Sequence, residues 1–296
     1  MPTPEQLDAM NLRIGAIEID SRNIFDLDDP EEDRWLYRWA NKLHAVTRPN
    51  VIRSQLLFGE GDAYSSRIVD ESERILRAKE YLREASIEPL RVEDGAVDLR
   101  VSTSDVWSLT PDITAGREGG ENRLGLGLLE RNLFGHGLLL GFKYKSDVDR
   151  DTATLDFANP HFRGSRSRLA FRVGVNSDGY DHRFLYVQPF YALDARRSQG
   201  ISLNAGDLIE SLYDLGEVVS EFEQTFEYHE VFTGWSDGLV NGWTRRYLAG
   251  IVYDDHAFNA TPETIDPSLV PTNRKYVYPW FGFETVQDHF EKAENF

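Results

Sequence analysis

The run Gly137 to Gly179, GLLLGFKYKSDVDRDTATLDFANPHFRGSRSRLAFRVGVNSDG, decides the fold class of the larger part of this chain. Its apolar residues recur at every second position. Leu138, Leu140, Phe142 and Tyr144 share one face, opposite Leu139, Gly141, Lys143 and Lys145. Ala153, Leu155 and Phe157 then oppose Thr152, Thr154 and Asp156, and Leu169, Phe171, Val173 and Val175 oppose Ala170, Arg172, Gly174 and Asn176. A period of two belongs to strands. Asp147-Val148-Asp149-Arg150 and Ser177-Asp178-Gly179 read as the turns between them. The alternation returns at Tyr247, Ala249, Ile251 and Tyr253, against Leu248, Gly250 and Val252. Gly119-Gly120-Glu121-Asn122 and Ser236-Asp237-Gly238 read as further turns. Glu210 to Glu223, acidic and carrying Tyr213, fits either a loop or a turn. From Asp105 onward the sequence therefore predicts an antiparallel meander with room for roughly ten strands.

Alternation leaves the surroundings of the sheet open. A soluble sandwich turns the apolar faces onto a core; a membrane barrel turns them to lipid. Length leans toward the barrel, because Gly137 to Asp147 and Gln224 to Trp235 approach the ~10 residues that a tilted strand needs to cross a bilayer. Trp107, Tyr180, Tyr191, Trp235, Trp243 and Trp280 sit near expected strand ends, as an aromatic girdle requires.

Upstream of Asp105 the period changes. Arg13 to Asp20 alternates as a short strand. Asp29-Pro30-Glu31-Glu32-Asp33 reads as a helix start, followed at helical spacing by Trp35, Leu36, Trp39, Ala40 and Leu43. Thr47-Arg48-Pro49-Asn50 breaks that helix, and Val51 to Phe58 predicts a second. Gly59 to Asp62 is a turn. Ser65 or Ser66 caps a third helix expected to reach about Ala85. Ile87 to Val92 and Ala96 to Thr103 flank Asp94-Gly95, a hairpin turn. The order is strand, helices, strand, strand. Residues 1–11 are polar and read as a disordered segment or linker.

Composition removes several classes of function. The 296 residues carry 32 Lys plus Arg against 50 Asp plus Glu, a net charge of −18. That surface is a poor partner for nucleic acid. The absence of cysteine rules out disulfides, thiolate catalysis and cysteine-ligated metal. No apolar run reaches the ~18 residues of a membrane-spanning helix, and Met1 to Asn11 lacks the apolar centre of a secretory signal.

No catalytic, cofactor-binding or metal site is expected, and nothing argues for an enzyme. His44, His136, His161, His182, His229, His256 and His289 show no ligand spacing. Asp147, Asp149 and Asp151 start like a calcium loop, but Thr152 and Ala158 stand where such a loop needs Gly and Glu. Gly125, Gly127, Gly135 and Gly137 complete no phosphate-binding motif. Glu71, Glu73, Glu80 and Glu84, among Arg67, Arg74, Arg77, Lys79 and Arg83, read as a solvated charged helix face.

Several stretches resemble a known family. Thr47 to Ile52 (TRPNVI), Leu56 to Asp62 (LLFGEGD), Tyr81 to Ala85 (YLREA), Asp94 to Leu99 (DGAVDL) and Thr103 to Leu109 (TSDVWSL) look like a POTRA domain, with Glu31 to His44 as an extra helix. Gly119 to Asn122 (GGEN), Glu130 to Gly137 (ERNLFGHG), Asn159 to Ser165 (NPHFRGS) and Gln188 to Asp194 (QPFYALD) resemble the early barrel strands of the BamA and TamA superfamily, the bacterial surface antigen family. N-L-F-G-H-G is the most telling of these.

The resemblance implies an α+β POTRA domain over residues 12–105. It continues as an antiparallel meander over residues 106–296, part of a transmembrane β-barrel whose first strand lies near Trp107 to Arg117. It implies a bacterial outer-membrane location with the first domain in the periplasm, and no cofactor. The implied function is to assemble, insert or export client proteins. An exposed POTRA edge, from Ile87 to Val92 or its neighbours, would pair with an extended client. Implied partners are unfolded outer-membrane or secreted proteins, outer-membrane lipid and periplasmic or lipoprotein accessories. The family's V-R-G-F/Y lid-loop motif does not occur here, and Glu291, Lys292 and Glu294 fit a final barrel strand poorly. The chain is therefore expected to be a fragment lacking a signal peptide and the last third of a barrel. A substrate- or lipid-transporting pore on the same architecture and a soluble β-rich binding protein are the alternatives.

Overall fold

A computed structural model describes residues 2–118 and 121–290. The chain divides into two compact units: Met1–Thr110 with Leu129–Leu140, and Pro111–Leu128 with Gly141–Phe296.

The first unit opens with helix α1 (Pro4–Ala9), where a linker was expected. Thr3 and Gln6 form a capping box, and Leu7 is fully buried. Asp8 then accepts the backbone N–H and hydroxyl of Ser66. This supplies the N-terminal cap that Ser65 does not give to its own helix. A buried leucine and a capping carboxylate hold the segment in place, and composition shows neither.

Strand β1 (Arg13–Arg22) follows. Helix α2 (Trp35–Leu43) begins five residues after Pro30, because residues 29–33 spend their carboxylates on local turns. Helix α3 is short, Pro49–Arg53. Helix α4 (Ser66–Arg77) stops well before Ala85, and strand β2 (Leu82–Glu93) takes up the intervening residues. Strand β3 (Ala96–Asp105) returns through Asp94-Gly95, both at positive φ as a two-residue hairpin turn demands. The sheet order is β1-β3-β2, with β1 parallel to β3 and β2 antiparallel to it. One face packs on the helices around Leu7, Ile14, Ile52, Leu76, Val97, Leu99 and Val101.

Ten strands form the second sheet. They are β4 (Leu109–Glu118), β5 (Glu121–Glu130), β6 (Leu139–Ser146), β7 (Asp151–Asn159), β8 (Arg168–Asn176), β9 (Gly179–Gln188), β10 (Arg197–Asp214), β11 (Glu217–Val240), β12 (Trp243–Ala260) and β13 (Arg274–Gln287). Each pairs with its sequence neighbours, and β4 and β13 are the outer strands of an open sheet. The Glu210–Glu223 stretch resolves into strand on both sides of a two-residue turn, Leu215-Gly216. Ser236-Asp237-Gly238 is a bulge inside β11, and the chain reverses instead at Asn241-Gly242. Strand β11 consequently runs 24 residues. Trp235 and Trp280 lie within strands and not at their ends. The expected turn at Gly119-Gly120 and the residues Glu291, Lys292 and Glu294 fall outside the described residues.

Candidate functional site

The two faces of the large sheet differ in chemistry. On one lie Leu155, Phe157, Phe171, Val173, Phe184, Leu203, Val231, Ile251, Phe281 and Phe283, aligned by the strand registers. They are largely bare: Val231 is 55% exposed and Phe281 82%. The other face carries the Asp156–Arg172 ion pair at 2.7 Å, the Arg183–Asn204 bond at 3.1 Å, and glycines covered by rings from the next strand. Phe232 lies over Gly200, Phe226 over Gly206 and Trp280 over Gly250. Among the described residues, the buried apolar side chains of the second unit are Ala158, Ala192, Leu193, Ala195, Phe222 and Val252, too few for a core. The apolar strand faces do not pack on one another, as a soluble sandwich would require. Among the described residues, no helix is long and apolar enough to cross a membrane.

Backbone edges of the first unit form a second candidate surface. Strand β2 is closed from Ala85 to Pro89, over the first part of the edge expected at Ile87 to Val92. Glu73 accepts the outward N–H of Ile87 at 2.9 Å, and Arg77 donates to the carbonyl of Ala85 at 2.9 Å. Pro89 has no N–H to offer, and a bulge follows it. Glu73 is accordingly buried, not part of a solvated face: an edge strand needs partners for its outward polar groups, and α4 supplies them as side chains. Glu71 is buried as well, paired with Arg67 of its own helix.

On β1, residues 12–14 bond to Gly61, Asp62 and Tyr64, and Ile17 bonds to Glu60 and Arg53. Ile19 and Ser21, the next outward positions, have no further backbone partner among the described residues. Asp98 on β3 accepts the Ala16 N–H at 2.8 Å and Arg91 of β2 at 2.7 Å. The Ala16 bond first, and Arg91 second, hold its carboxyl below the usual carboxylate range.

The N-L-F-G-H-G run forms a third feature. Residues 132–137 make a tight corner, with Phe134, Gly135 and Gly137 at φ of 54°, 74° and 64°. The Asn132 carboxamide accepts the Gly137 N–H at 2.7 Å and donates to the Thr47 hydroxyl at 2.8 Å. Gly135 lies against the Val46 carbonyl, and its own carbonyl accepts the Arg48 N–H at 2.9 Å. Gly137 lies over the Tyr81 ring. Beneath this corner, Asp105 Oδ2 receives the Thr47 N–H at 2.8 Å, the Thr47 hydroxyl at 3.0 Å and His44 Nε2 at 2.8 Å. The Tyr81 phenol stays protonated well above its usual range, from burial first and the Asp105 charge second. Asn159-Pro160-His161-Phe162-Arg163-Gly164-Ser165 repeats the corner. Arg163 and Gly164 sit at φ of 56° and 69°, and Phe162 N–H bonds Ser167 as Leu133 N–H bonds Leu138.

Several of the other polar residues singled out from the sequence are paired. Asp147 pairs with Arg123 and Lys145, and Asp149 accepts from Tyr213 at 2.6 Å. His229 and His256 sit beside Glu227 and Asp254. Among the described residues, no three His, Asp or Glu converge as metal ligands. Residues of the Asp105 cluster lie 58 and 61 positions from Asp105 at Thr47 and His44, so no spacing in the sequence could reveal it.

No family model and no curated protein matches the sequence. Solved structures give similarities of shape. BamA from Haemophilus ducreyi lacking POTRA domains 1–3 aligns with a TM-score of 0.45 and 13% identity, over 84% of this chain and 56% of that one. CdiB from Acinetobacter baumannii gives 0.44 and 11%, over 94% and 43%. CdiB from Escherichia coli gives 0.37 and 10%, over 92% and 51%. The chain spans about half the length of these structures.

Proposed function

We propose that this chain is part of a bacterial outer-membrane barrel protein that assembles, inserts or exports client proteins, with its first unit a periplasmic POTRA domain. The observation that carries the membrane reading is the single-layer sheet with a bare, continuous apolar face. In water that face is a large aggregation liability; in lipid it is satisfied, and the polar face turns to the lumen. The strand–helices–strand–strand order of the first unit and the motif at Glu130–Gly137 support the family assignment.

Client capture falls to β1 in this reading. An extended client segment adds alongside Ile19–Ser21, where outward backbone groups lack partners, by β-augmentation. Strand β2 is closed to it by Glu73, Arg77 and Pro89. Photo-crosslinking residues placed at Ile19 and at Pro89 in membrane-embedded protein test this. Adducts with unfolded outer-membrane or secreted proteins are expected from Ile19 and not from Pro89. Adducts from neither would overturn the client role.

A further inference from the structure

Helix α2 is amphipathic in the wrong direction for a soluble domain. At 3.6 residues per turn, Trp35, Trp39, Leu43 and Leu36 occupy one arc of about 100°. Trp35 is 73% exposed, Leu43 71%, and no residue of the helix is buried. The opposite side holds the helix to its unit. Tyr37 stacks on Phe25 at 4.0 Å, Asn41 bonds the Phe25 backbone at 2.8 and 3.1 Å, and His44 reaches Asp105. The apolar arc therefore points away from the core of its own unit.

We infer that α2 lies in the headgroup zone of a phospholipid bilayer, with Trp35, Leu36, Trp39 and Leu43 inserted; this rests on the membrane-barrel reading above. Two tryptophans on an exposed arc, bordered by a lysine, match interfacial helices. Trp35–Leu43 contains no acidic residue, and Lys42 borders the arc where lipid phosphates lie, while Arg34 lies over the Tyr37 ring on the other side. Lys42 Nζ sits 5.5 Å from the Trp39 ring centroid, extending along the helix toward that edge. Position agrees with composition. The helix ends at His44, bound to Asp105 at the close of β3, and β4 starts at Leu109. Three residues thus separate the helix anchor from a strand that enters the membrane. This tether raises the local concentration of bilayer far above what a nine-residue helix needs for weak partition.

The chain has no cysteine, so a single introduced thiol is a unique label. Full-length protein in phosphatidylethanolamine–phosphatidylglycerol vesicles would carry an environment-sensitive fluorophore at Leu43→Cys, at Leu36→Cys, or at Val231→Cys on the apolar sheet face. Quenching by lipids spin-labelled near the headgroup is then read. The inference expects at least twofold quenching at Leu43 and Leu36, together with quenching at Val231 by chain-labelled lipid. Quenching at Val231 without Leu43 and Leu36 overturns the inference and keeps the barrel. A blue-shifted but unquenched Leu43 probe also overturns it, because a protein, or a second copy, then covers the arc. No quenching at any site overturns both readings. Quenching at Leu43 and Leu36 without Val231 removes the barrel, and with it the tether on which the inference rests.

Discussion

His44 Nε2 lies 2.8 Å from the Asp105 carboxylate, with 4% and 0% of the two side chains exposed. The pair joins the end of α2 to the end of β3, and Thr47 and Asn132 complete the shell on the same oxygen. Asp105→Ala would leave the buried Thr47 N–H without its acceptor. The expected loss is about 2–4 kcal/mol. Asp105→Asn keeps one acceptor oxygen and is expected to cost about half as much. Every α-helix among the described residues belongs to the first unit, so the urea midpoint of the 222 nm circular dichroism signal reports these losses.

Gly135 and Gly164 occupy equivalent places in two corners of the same conformation, at φ of 74° and 69°. A Cβ at Gly135 would collide with the Val46 carbonyl, whereas Gly164 has open space around it. Gly135→Val is expected to cost about 3 kcal/mol or more, strain plus collision. Gly164→Val should cost only the strain, about 1–2 kcal/mol. The 222 nm midpoint reads the loss at Gly135, and heat-modifiable mobility of the sheet reads the loss at Gly164; equal losses would contradict the docking of the first corner on residues 45–48.

These corners also show how far the sequence could be read. The meander and the strand–helices–strand–strand order were legible because burial imposes a period of two or 3.6 on apolar residues. A positive φ at Gly135 follows from a glycine at a tight corner. What the corner docks against was not legible: His44, Thr47 and Asn132 reach Asp105 from distant parts of the chain. Element ends differ where a strand starts irregularly. Tyr81, Leu82 and Ala85 continue the apolar spacing of α4, and the bulge between Leu82 and Glu84 breaks the period of two that would mark the start of β2. Ser236-Asp237-Gly238 reads as a turn because a turn and a bulge can each hold a glycine at positive φ, as Gly238 is here, and only pairing with β12 separates them.

Asp98 links all three strands of the small sheet, and its carboxyl is held below its ordinary range. A depressed carboxylate contributes stability above its unfolded pKa and loses it as pH falls through the folded value. Asp98→Asn should therefore be less stable than the parent near pH 7. The gap should narrow as pH drops below the usual carboxylate range. Urea midpoints of both proteins between pH 7 and pH 3 check the convergence; a gap that widens on acidification would contradict it.

Gly250 lies under the Trp280 indole, and a Cβ there would stand 2.5 Å from its Nε1 and 2.9 Å from the Val231 carbonyl. Gly250→Val forces ring and strand apart and is expected to cost about 2–3 kcal/mol. Gly250→Val combined with Trp280→Ala should recover part of that loss, since the ring is then gone. Heat-modifiable mobility of the folded protein on gels measures both. Equal loss in the single and double variants would place the collision with the backbone alone.

If the apolar face of the large sheet meets lipid, a nitroxide scan along β11 from Glu230 to Thr233, in bilayers, shows a period of two. Oxygen collision then dominates at Val231 and Thr233, and a water-soluble relaxant dominates at Glu230 and Phe232. Uniform access of the water-soluble relaxant to all four positions, or protection of all four from both probes, would contradict it.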